Sequence, residues 1–528
     1  MKYSKEREKV DAYFNNQLIV RKGFEPINIT NGIDWNYQHS DNANTYQTYL
    51  HSLSIVEALV IISKYDSNEN LQKYARDIIL DWNKTDHTKG KNHAWKEHPV
   101  SSRLNYIIDF QNLAEKYKIA EKTFNKMIIE HCEFLFNERN YKFNNHGLMM
   151  DYSLLNASSY IVDKEKKTKY IDKALYRVRY ALRRDFTRRG VHLENSPEYH
   201  RMVLSIFKKI ENKLKELRIP IGKEEKSILN LAQEFKNYMI QPNLVYPIIG
   251  DTGHINDTKI KKNYKNFYDT ESGIGIFNNF NKNNPKESTM LTFKSGYFSK
   301  THKHYDDLSI TLFMSGQELL SDSGKYSYAS KDPIRQHIIS PQAHNTIGIP
   351  GKKYKLIDPI NEQSQLKLTG YRTNKDYIFS SGINRLYEGV NLIRYNILTK
   401  DDLYIVADRM VSKNNENVQQ NFNINENATI SRIDNLTYEI SLGQEEFIIK
   451  TFERFNTSIT SSIEKGYISR KFNNYIENSR ITFNQQTDNA TFITAIFNKK
   501  NIDNIGDIKL HNNQIIFNQN NKEIRVDL

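Results

Sequence analysis

Hydrophobic positions in the first half of the chain recur at the spacing of α-helices. Between residues 70 and 82 the apolar side chains fall three and four residues apart, on one face of a helix with Asn70 as a candidate N-cap. Four further segments show similar faces: residues 45–64, 104–113, 170–182 and 203–214. Because short polar loops join these segments, we predict an N-terminal domain of stacked helical hairpins.

The pattern changes to a period of two beyond about residue 245. Pro247, two glycines and a Lys/Asn-rich stretch mark a boundary between about residues 250 and 265. The runs S-I-T-L-F-M, D-L-Y-I-V-A-D-R, F-I-T-A-I-F, Q-I-I-F and E-I-R-V follow, separated by Asn, Gly and Asp turns, which is typical of an antiparallel β-sandwich. We therefore predict a multidomain α+β protein with a helical domain over residues 1–255 and a β-sandwich domain over residues 256–528.

Composition and charge narrow the classes of partner. The 528 residues, 38% of them hydrophobic, are enough for two large cores. A net charge of +13 without a basic tail favours a polyanionic partner, either nucleic acid or an acidic polysaccharide. The sequence has no zinc-finger spacing, RNP-like aromatic motif or P-loop, so we expect a polysaccharide and no nucleic acid.

The only cysteine, Cys132, lies in an apolar stretch and is expected in the core. A single cysteine excludes intrachain disulfides and a thiolate metal cluster. Residues 1–10 lack the apolar region of a signal peptide, and no run of about 18 apolar residues predicts a membrane span. We expect a cytoplasmic protein, or a secreted or cell-surface protein if the chain begins after a removed leader.

Residues 301–310, T-H-K-H-Y-D-D-L-S-I, place two imidazoles and two carboxylates just before an alternating apolar run. The alternation predicts a half-buried strand, which would put His302, His304 and Asp306 on one face. Three such side chains on one face indicate a metal or proton-transfer site, with ordinary hydrogen bonding at a strand end as the alternative.

Asp322 and His344 each lie where an apolar run meets a turn. With His304 they would supply two imidazoles and one carboxylate, a set of ligands that suits Zn²⁺. Their separation along the chain is compatible with adjacent strands of one sheet. The alternative is that Asp322 serves a turn and His344 is a buried hydrogen-bonding residue.

Two motifs in the helical half carry further candidates. In N-N-H-G, Asn145 and His146 precede a glycine, so we place them in a loop before the next helix, where polar groups could face a cleft. In G-V-H-L-E-N-S-P-E-Y-H, Pro197 breaks the chain before Tyr199 and His200, which lead into an apolar helix. Taken singly, each motif is also typical of capping.

Together these motifs resemble a known family. N-N-H-G, G-V-H-L-E-N-S-P-E-Y-H, H-K-H-Y-D-D-L-S, L-S-D-S-G and A-H-N-T occur in the order found in heparinase II/III-like polysaccharide lyases, and W-K-E-H-P-V-S-S-R belongs to the same resemblance. It covers about residues 30–350. It implies an incomplete (α/α) toroid followed by an antiparallel β-sandwich, and β-elimination of a uronic-acid-containing polymer, either a glycosaminoglycan or a bacterial capsule or exopolysaccharide.

The resemblance also implies roles for individual residues. Asn145 and His146 match the pair that neutralises the substrate carboxylate, and Tyr199 matches the catalytic acid, which in many members is also the base. His302 matches the histidine that faces this tyrosine across the cleft. The matched ligands of a structural zinc ion are His304, Asp322 and His344.

Further positions are assigned by the same resemblance. Met149 stands where the heparinase-II-like pattern has an acidic residue, so the site is nearer the Asn-bearing heparinase-III-like branch. We assign Trp95, Arg103 and Glu194 to the cleft as an aromatic platform, a carboxylate or sulfate clamp and an orienting carboxylate, with a buried ion pair as the alternative for Arg103. Tyr199 would act as a base only if its pKa were lowered by Arg103 or by the histidines named above.

Two other functions remain open from the sequence. A glycoside hydrolase on the same helical scaffold would need two carboxylates that flank the scissile bond, and Glu194, Glu198 and Asp151 are available. A non-catalytic carbohydrate-binding protein with a structural metal is the third possibility.

Overall fold

The computed structural model describes residues 3–40, 42–66, 68, 70–85, 87, 93–356, 364–453 and 458–528, which form two compact units. The helical unit comprises the described residues up to Arg184 together with Val203–Lys226. The sheet unit comprises Asp185–Met202 and the described residues from Ser227 onward. The segment that carries Tyr199 therefore belongs to the sheet unit, and the boundary at residue 255 stays a prediction.

The described helices contain the predicted amphipathic segments, with residues 45–64 divided into two helices at Leu53, which has a φ of 58°, and they include others, such as Glu121–Phe136, that the pattern did not predict. None of them combines the length and hydrophobicity that a membrane crossing requires. Their bounds are α1 (Ser4–Phe14), α2 (Ala43–His51), α3 (Ser54–Ser63), α4 (Asn70–Lys84), α5 (Glu97–Leu113), α6 (Glu121–Phe136), α7 (Asn145–Ala157), α8 (Lys164–Asp185), α9 (Pro197–Glu216), α10 (Lys223–Met239) and α11 (Pro333–Ile338).

Each period-two run identified in the sequence lies wholly or mostly within a described strand. Their bounds are β1 (Gln17–Leu18), β2 (Ile27–Asn28), β3 (Phe267–Asp269), β4 (Ile274–Asn279), β5 (Thr289–Lys294), β6 (Ser309–Met314), β7 (Gln317–Leu320), β8 (Ile347–Gly348), β9 (Leu366–Thr373), β10 (Tyr377–Asn384), β11 (Val390–Thr399), β12 (Tyr404–Asn423), β13 (Thr429–Arg432), β14 (Thr437–Leu442), β15 (Glu445–Thr451), β16 (Thr460–Lys471), β17 (Asn474–Asn498), β18 (Ile505–His511), β19 (Gln514–Gln519) and β20 (Lys522–Asp527).

Two antiparallel sheets pack face to face in the sheet unit. One has the order β3-β4-β5-β6-β7, and the other has the order β13-β14-β15-β17-β12-β11-β10-β9, with β16 paired to β17 and β8 to β12. A single apolar cluster contains side chains from both sheets, such as Phe293 and Val406, as expected of a sandwich core. The predicted order of a helical region followed by antiparallel sheets is confirmed.

The strand predicted for residues 302–312 is shorter and more deeply buried than its alternation suggested. β6 begins at Ser309, so His302, His304 and Asp306 lie in the segment before it and do not share a strand face. His302 has a φ of 57° and Leu308 a φ of 63°, and these left-handed residues turn the chain into the strand. All six residues of β6 are buried, because this strand lies inside the sandwich. The prediction of a half-buried strand is therefore wrong.

Lys262 places an ammonium group inside the sheet unit. Its side chain donates to the Tyr238 carbonyl at 2.7 Å and to Met290 Sδ at 3.4 Å. Burial lowers the pKa of Lys262 to about 7 from an ordinary value of 10.5. Between these two values the unfolded chain binds the proton and the folded chain does not, so this group's contribution makes stability rise with pH across that window.

We predict that Lys262→Met increases the free energy of unfolding at pH 6, where the folded wild type must keep the buried ammonium protonated. The gain should shrink as the pH rises from 7 toward 10.5, because the wild type then buries a neutral amine. Urea unfolding of both proteins at several pH values measures this difference. Lys261→Met, at the exposed neighbouring lysine, is the control, and an equal pH dependence of the two variants would contradict the prediction.

Candidate active site and metal centre

Tyr199 lies in the first turn of α9, with Pro197 at the first helical position, which proline favours. Ser196 precedes the helix; its hydroxyl oxygen accepts from the backbone N–H of Tyr199 at 3.4 Å and lies 2.7 Å from the Thr252 hydroxyl. The phenol ring stacks on the imidazole of His302 with centroids 3.4 Å apart and an interplanar angle of 16°. The two residues singled out as acid and opposing histidine are thus in direct contact within one unit.

This contact corrects the predicted arrangement of the pair. The notion that His302 faces Tyr199 across a cleft requires a gap that holds a sugar ring, and stacked rings leave no such gap. The phenol and the imidazole are therefore neighbouring groups that lie ring against ring.

Gly250 brings the chain segments of the pair together. The side chain of Asn195 donates to the carbonyls of Ser299 and Thr301, which fixes the segment before His302. Gly250 has a φ of 54°, and a Cβ on it would lie 2.5 Å from the Asn195 carbonyl oxygen and 2.9 Å from that of His302. Only glycine fits this close approach of three backbones.

Asp251 is the buried carboxylate around which the site is organised. One oxygen accepts from His302 Nδ1 at 3.0 Å, and the other accepts from His304 Nε2 at 2.9 Å and from Arg335 Nη1 at 2.6 Å. Burial opposes ionisation, yet the hydrogen bonds with His302, His304 and Arg335 hold the pKa of Asp251 well below its usual range. Because a carboxylate only accepts, it fixes the hydrogen on His302 Nδ1 and leaves Nε2 for proton transfer.

The hydroxyl of Tyr199 lies 2.5 Å from that of Tyr328. Burial, and the hydrogen bond with Tyr328, raise the pKa of Tyr199 well above its ordinary value of 10.0. The lowering that a base role would need is therefore absent in the free protein. A protonated phenol is suited to donate a proton.

Two glutamates of the same segment differ in their surroundings. Glu194 Oε2 lies 3.8 Å from His302 Nε2, where it can stabilise positive charge on the imidazole; its assignment as an orienting carboxylate stays a prediction. Glu198 is held by Lys325 at 2.5 Å and by the backbone N–H of Gly253 at 2.9 Å.

The three predicted metal ligands converge in the sheet unit. The candidate ligand atoms of His304, Asp322 and His344 all lie within 4.8 Å of one another, and all three residues are buried. They stand next to β6, β7 and β8; the first two strands are neighbours in one sheet, whereas β8 belongs to the other sheet. The prediction of adjacent strands in a single sheet is thus wrong for His344.

The atoms that His304, Asp322 and His344 could offer as ligands are suited to bind a metal ion. His304 donates through Nε2 to Asp251, and His344 through Nδ1 to Asp322 at 3.0 Å. The remaining nitrogens, His304 Nδ1 and His344 Nε2, are buried and have no hydrogen-bond partner among the described residues. Burial lowers the pKa of His304, which favours the neutral imidazole that a metal requires.

Buried charges anchor the loop between His302 and β6. Lys303 binds Asp306 and Asp307, and Lys294 on β5 donates to Asp306 at 2.8 Å. Arg394 on β11 pairs with Asp408 and donates to the carbonyls of Leu308 and Asn345, at the ends of the segments that carry His304 and His344. These fully enclosed ion pairs tie the site loops to the sandwich.

In the helical unit, Asn145 and His146 are the first two residues of α7, not loop residues, because Asn144 caps the helix by accepting from the N–H of His146. His146 Nδ1 lies 3.1 Å from Glu97 Oε1 on α5. The hydrogen bond with His146 lowers the pKa of Glu97 to about 2. His146 keeps 37% of its side-chain surface exposed, so it remains accessible to a ligand.

Trp95 and Arg103 differ in how far their side chains are exposed to solvent. Trp95 is 37% exposed and rests on His131, as an aromatic platform requires. Arg103 is fully buried; it donates to His131 Nε2 at 2.9 Å and to two backbone carbonyls, and its guanidinium lies 3.8 Å from the Trp82 ring. The clamp assigned to Arg103 is therefore corrected to a structural role, and the partners of its guanidinium among the described residues are an imidazole and two carbonyls, with no carboxylate for the alternative ion pair.

Asp151 was a candidate carboxylate for the glycoside hydrolase, but a substrate cannot reach it. It is fully buried, accepts from the Tyr141 hydroxyl at 2.9 Å and lies 3.5 Å from Arg177 Nη1. Burial raises the pKa of Asp151 well above its ordinary value. It belongs to the core of the helical unit.

Sequence reasoning missed four residues that contact the predicted ones: Asp251, Arg335, Tyr328 and Glu97. Glu97 lies inside the motif W-K-E-H-P-V-S-S-R, and Asp251 lies beside a glycine in I-I-G-D-T-G-H, where it resembles an ordinary turn.

Comparison with known protein families decides the relationship. The family model described as the heparinase II/III N-terminus matches residues 2–272, and the model described as heparinase II/III-like, C-terminal, matches residues 265–522. The chain belongs to the heparinase II/III-like family. The predicted resemblance is confirmed, and it extends through the C-terminal third, where the sequence showed only strand patterning.

Individual members of the heparinase II/III-like family are distant in sequence. A heparin-sulfate lyase of Bacteroides stercoris is 20% identical over 374 residues, which are 64% of this chain and 54% of that protein, so the chain spans about half of its length. A crystal structure of heparinase III has a TM-score of 0.81 at 16% identity, covering 99% of this chain and 90% of that one. A heparan sulfate lyase from Pedobacter heparinus has a TM-score of 0.77 at 15% identity, with coverages of 99% and 88%.

We predict that Asp251→Asn lowers the free energy of unfolding by about 3–5 kcal/mol, because the change leaves the buried guanidinium of Arg335 without its counter-charge. Chemical denaturation measures the loss. Asp507→Asn, whose side chain is 80% exposed in the same unit, should change stability by less than about 0.5 kcal/mol. Equal effects of the two substitutions would contradict the role assigned to Asp251.

Proposed function

We propose that this protein is a polysaccharide lyase that cleaves a uronic-acid-containing glycosaminoglycan by β-elimination. The observation that carries the proposal is the stacked pair of Tyr199 and His302, with Asp251 behind the imidazole, in a chain matched over both halves by heparinase II/III-like models. The names of the relatives, a heparin-sulfate lyase and a heparan sulfate lyase, support a glycosaminoglycan as the class of substrate. The net charge of +13 is complementary to such a polymer.

The reaction removes the proton at C5 of the uronate and expels the sugar oxygen at C4. The C5–H electron pair becomes the C4–C5 double bond, the C4–O4 bond breaks, and O4 leaves with a proton. Removal of the C5 proton places additional negative charge on the carboxylate, so the site must stabilise that charge and supply both a base and an acid.

Within this proposal His302 is the base and Tyr199 is the acid. His302 Nε2 takes the C5 proton, and Asp251 and Glu194 stabilise the resulting imidazolium. Tyr199, whose pKa is raised by burial and by Tyr328, stays protonated at neutral pH and gives its proton to O4. The raised pKa argues against Tyr199 as the base in the free protein.

Asn145 and His146 are proposed to donate hydrogen bonds to the uronate carboxylate. Their assignment derives from the family motif N-N-H-G. Glu97 supports it, because its hydrogen bond fixes the orientation of the His146 ring at the start of α7. Trp95 is proposed as a platform for a sugar ring.

The stacking of the proposed acid on the proposed base has a consequence for the substrate epimer, because stacked groups reach a bound sugar from one side. Groups that approach from one side suit a uronate whose C5 hydrogen and O4 lie on the same face of the C4–C5 bond, as in glucuronate. In iduronate the two lie on opposite faces. We therefore propose glucuronate at the cleaved position.

We predict that chondroitin, whose uronate is glucuronate, is cleaved faster than dermatan, its C5 epimer, in a panel that also contains heparan sulfate, hyaluronan and capsular polymers. The ultraviolet absorbance of the unsaturated product measures each rate.

We predict that Tyr199→Phe lowers kcat about 10²- to 10⁴-fold through loss of the acid, measured by the same absorbance. Tyr264→Phe, at a tyrosine whose hydroxyl donates to the Pro285 carbonyl, is the matched control.

The possible outcomes separate the alternatives. New reducing ends without the absorbance of a double bond would identify a hydrolase and overturn the lyase. Full activity of Tyr199→Phe would remove the phenol from the reaction. Cleavage of dermatan alone would overturn the same-face geometry.

We propose further that His304, Asp322 and His344 bind Zn²⁺ in a structural role. Two imidazole nitrogens and a carboxylate match the ligand preferences of zinc, and the hydrogen bond from His304 to Asp251 is the kind of outer contact that orients a metal-bound histidine. An ion there would hold the loop before β6 in place.

We predict that the purified protein contains about one zinc per chain and that Asp322→Asn loses most of it. A chelator should lower the Tm of the wild type and leave that of Asp322→Asn unchanged, which metal analysis and thermal unfolding measure. His511→Ala, at an exposed histidine on β18, should retain its metal. Equal zinc contents in the wild type and Asp322→Asn would overturn the assignment.

A further inference from the structure

The hairpin of β16 and β17 presents an aromatic tip that no motif of the sequence indicated. The two strands pair as far as Lys471 and Asn474, and Phe472 and Asn473 form the turn, with Asn473 at a φ of 57°. Phe472 is 44% exposed and Tyr475, just beyond the turn, is 43% exposed. Large aromatic rings held at the surface of a hairpin turn call for an explanation beyond folding.

This tip is fixed against the segment that carries Tyr328. The backbone N–H of Ser469 donates to the Ser323 carbonyl at 2.7 Å, and that of Asn473 donates to the Tyr326 carbonyl at 2.8 Å. The Ser469 hydroxyl adds a bond to the carbonyl of Lys325 at 2.5 Å. The turn is therefore a positioned surface.

The exposed rings continue directly from the candidate catalytic tyrosine. The Tyr328 ring, 54% exposed, lies 5.5 Å from Phe472, and its hydroxyl lies 2.5 Å from that of Tyr199. Tyr326 lies 5.6 Å from Tyr475. We name Tyr328, Phe472 and Tyr475 the hairpin-tip aromatics; the first two extend the aromatic surface from Tyr199, and Tyr475 follows Phe472 just beyond the turn.

Charge at this surface suits an acidic chain. Lys471 is exposed beside Phe472, and Lys325, which also binds Glu198, lies 5.8 Å from the Tyr199 ring centre. A sugar ring offers an apolar C–H face to an aromatic ring, while its carboxylate or sulfate groups at the edge meet the cations. Apolar faces with anionic edges are the chemistry of a uronic-acid polymer.

We propose that the hairpin-tip aromatics form a sugar-binding subsite that holds residues of the acidic polysaccharide next to the one cleaved at Tyr199. This inference rests on the proposed function. The subsite contributes binding energy remote from the bond that breaks, so it sets the affinity for long chains. The occupant is the polysaccharide itself, because the aromatic surface is continuous with the candidate active site.

The test compares Phe472→Ala with wild type on oligosaccharides of increasing length prepared from the polymer that the wild type cleaves. KM for long substrates should rise about five- to tenfold with kcat unchanged, and the difference should vanish for the shortest substrate cleaved. Tyr475→Ala should also raise KM for long substrates, whereas Phe472→Trp, which keeps an aromatic ring at this position, should retain the wild-type KM. Phe280→Ala, 45% exposed and packed on Tyr264 elsewhere in the unit, is the control.

A KM for long chains that Phe472→Ala leaves unchanged, or changes equally at every length, would overturn the subsite while leaving the lyase intact. If the wild type cleaves no polymer, the proposed function fails, and affinity electrophoresis in gels that contain each polymer then decides the subsite. Retardation lost in Phe472→Ala and kept in Phe280→Ala supports it. Equal retardation of the two variants, or none for the wild type, overturns it.

Discussion

The candidate site depends on one buried carboxylate. Asp251 accepts hydrogen bonds from the candidate base His302, from the candidate metal ligand His304 and from Arg335, with 1% of its side chain exposed. A charge at this depth is tolerated only because three donors surround it. The same hydrogen bonds fix which nitrogen of each imidazole carries a hydrogen. The proton transfer proposed at His302 and the metal binding proposed at His304 would thereby be coupled through one side chain.

Because the candidate site depends on the position of Asp251 and its partners, the loops around it must be held in place, and buried contacts attach them to the β-sandwich. The segment from His302 to β6 has little regular structure, yet Lys303, Asp306 and Arg394 hold it through fully enclosed ion pairs and carbonyl contacts. Loops that carry chemistry need such support, because a small displacement of a reacting group removes most of its effect. The ion pairs here serve geometry more than stability, since buried pairs contribute little net stability.

The sequence predicted the helices and strands that depend on the local pattern of hydrophobic residues. The period of 3.6 located helices α4, α5, α8 and α9, and the period of two located β6, β12 and β17, because each run packs against its own core. The family motifs located Tyr199 and His302. What failed depends on contacts distant along the chain. No local pattern reveals that Asp251 reaches two histidines about 50 residues away, or that Arg103 is enclosed by aromatic rings.

The stacked pair also limits what the free protein can do. Tyr199 is protonated by virtue of its burial and its contact with Tyr328, and His302 keeps a nitrogen for proton transfer because Asp251 occupies the other. The proposed acid and base are thus distinguished before any substrate binds, by surroundings that lie within the sheet unit alone. In the proposed reaction a uronate needs only to bring its C5 hydrogen to the imidazole and its O4 to the phenol. The geometry that separates the two roles is fixed by Gly250 and Asp251, two consecutive residues of one turn, one through the approach of backbones and the other through charge.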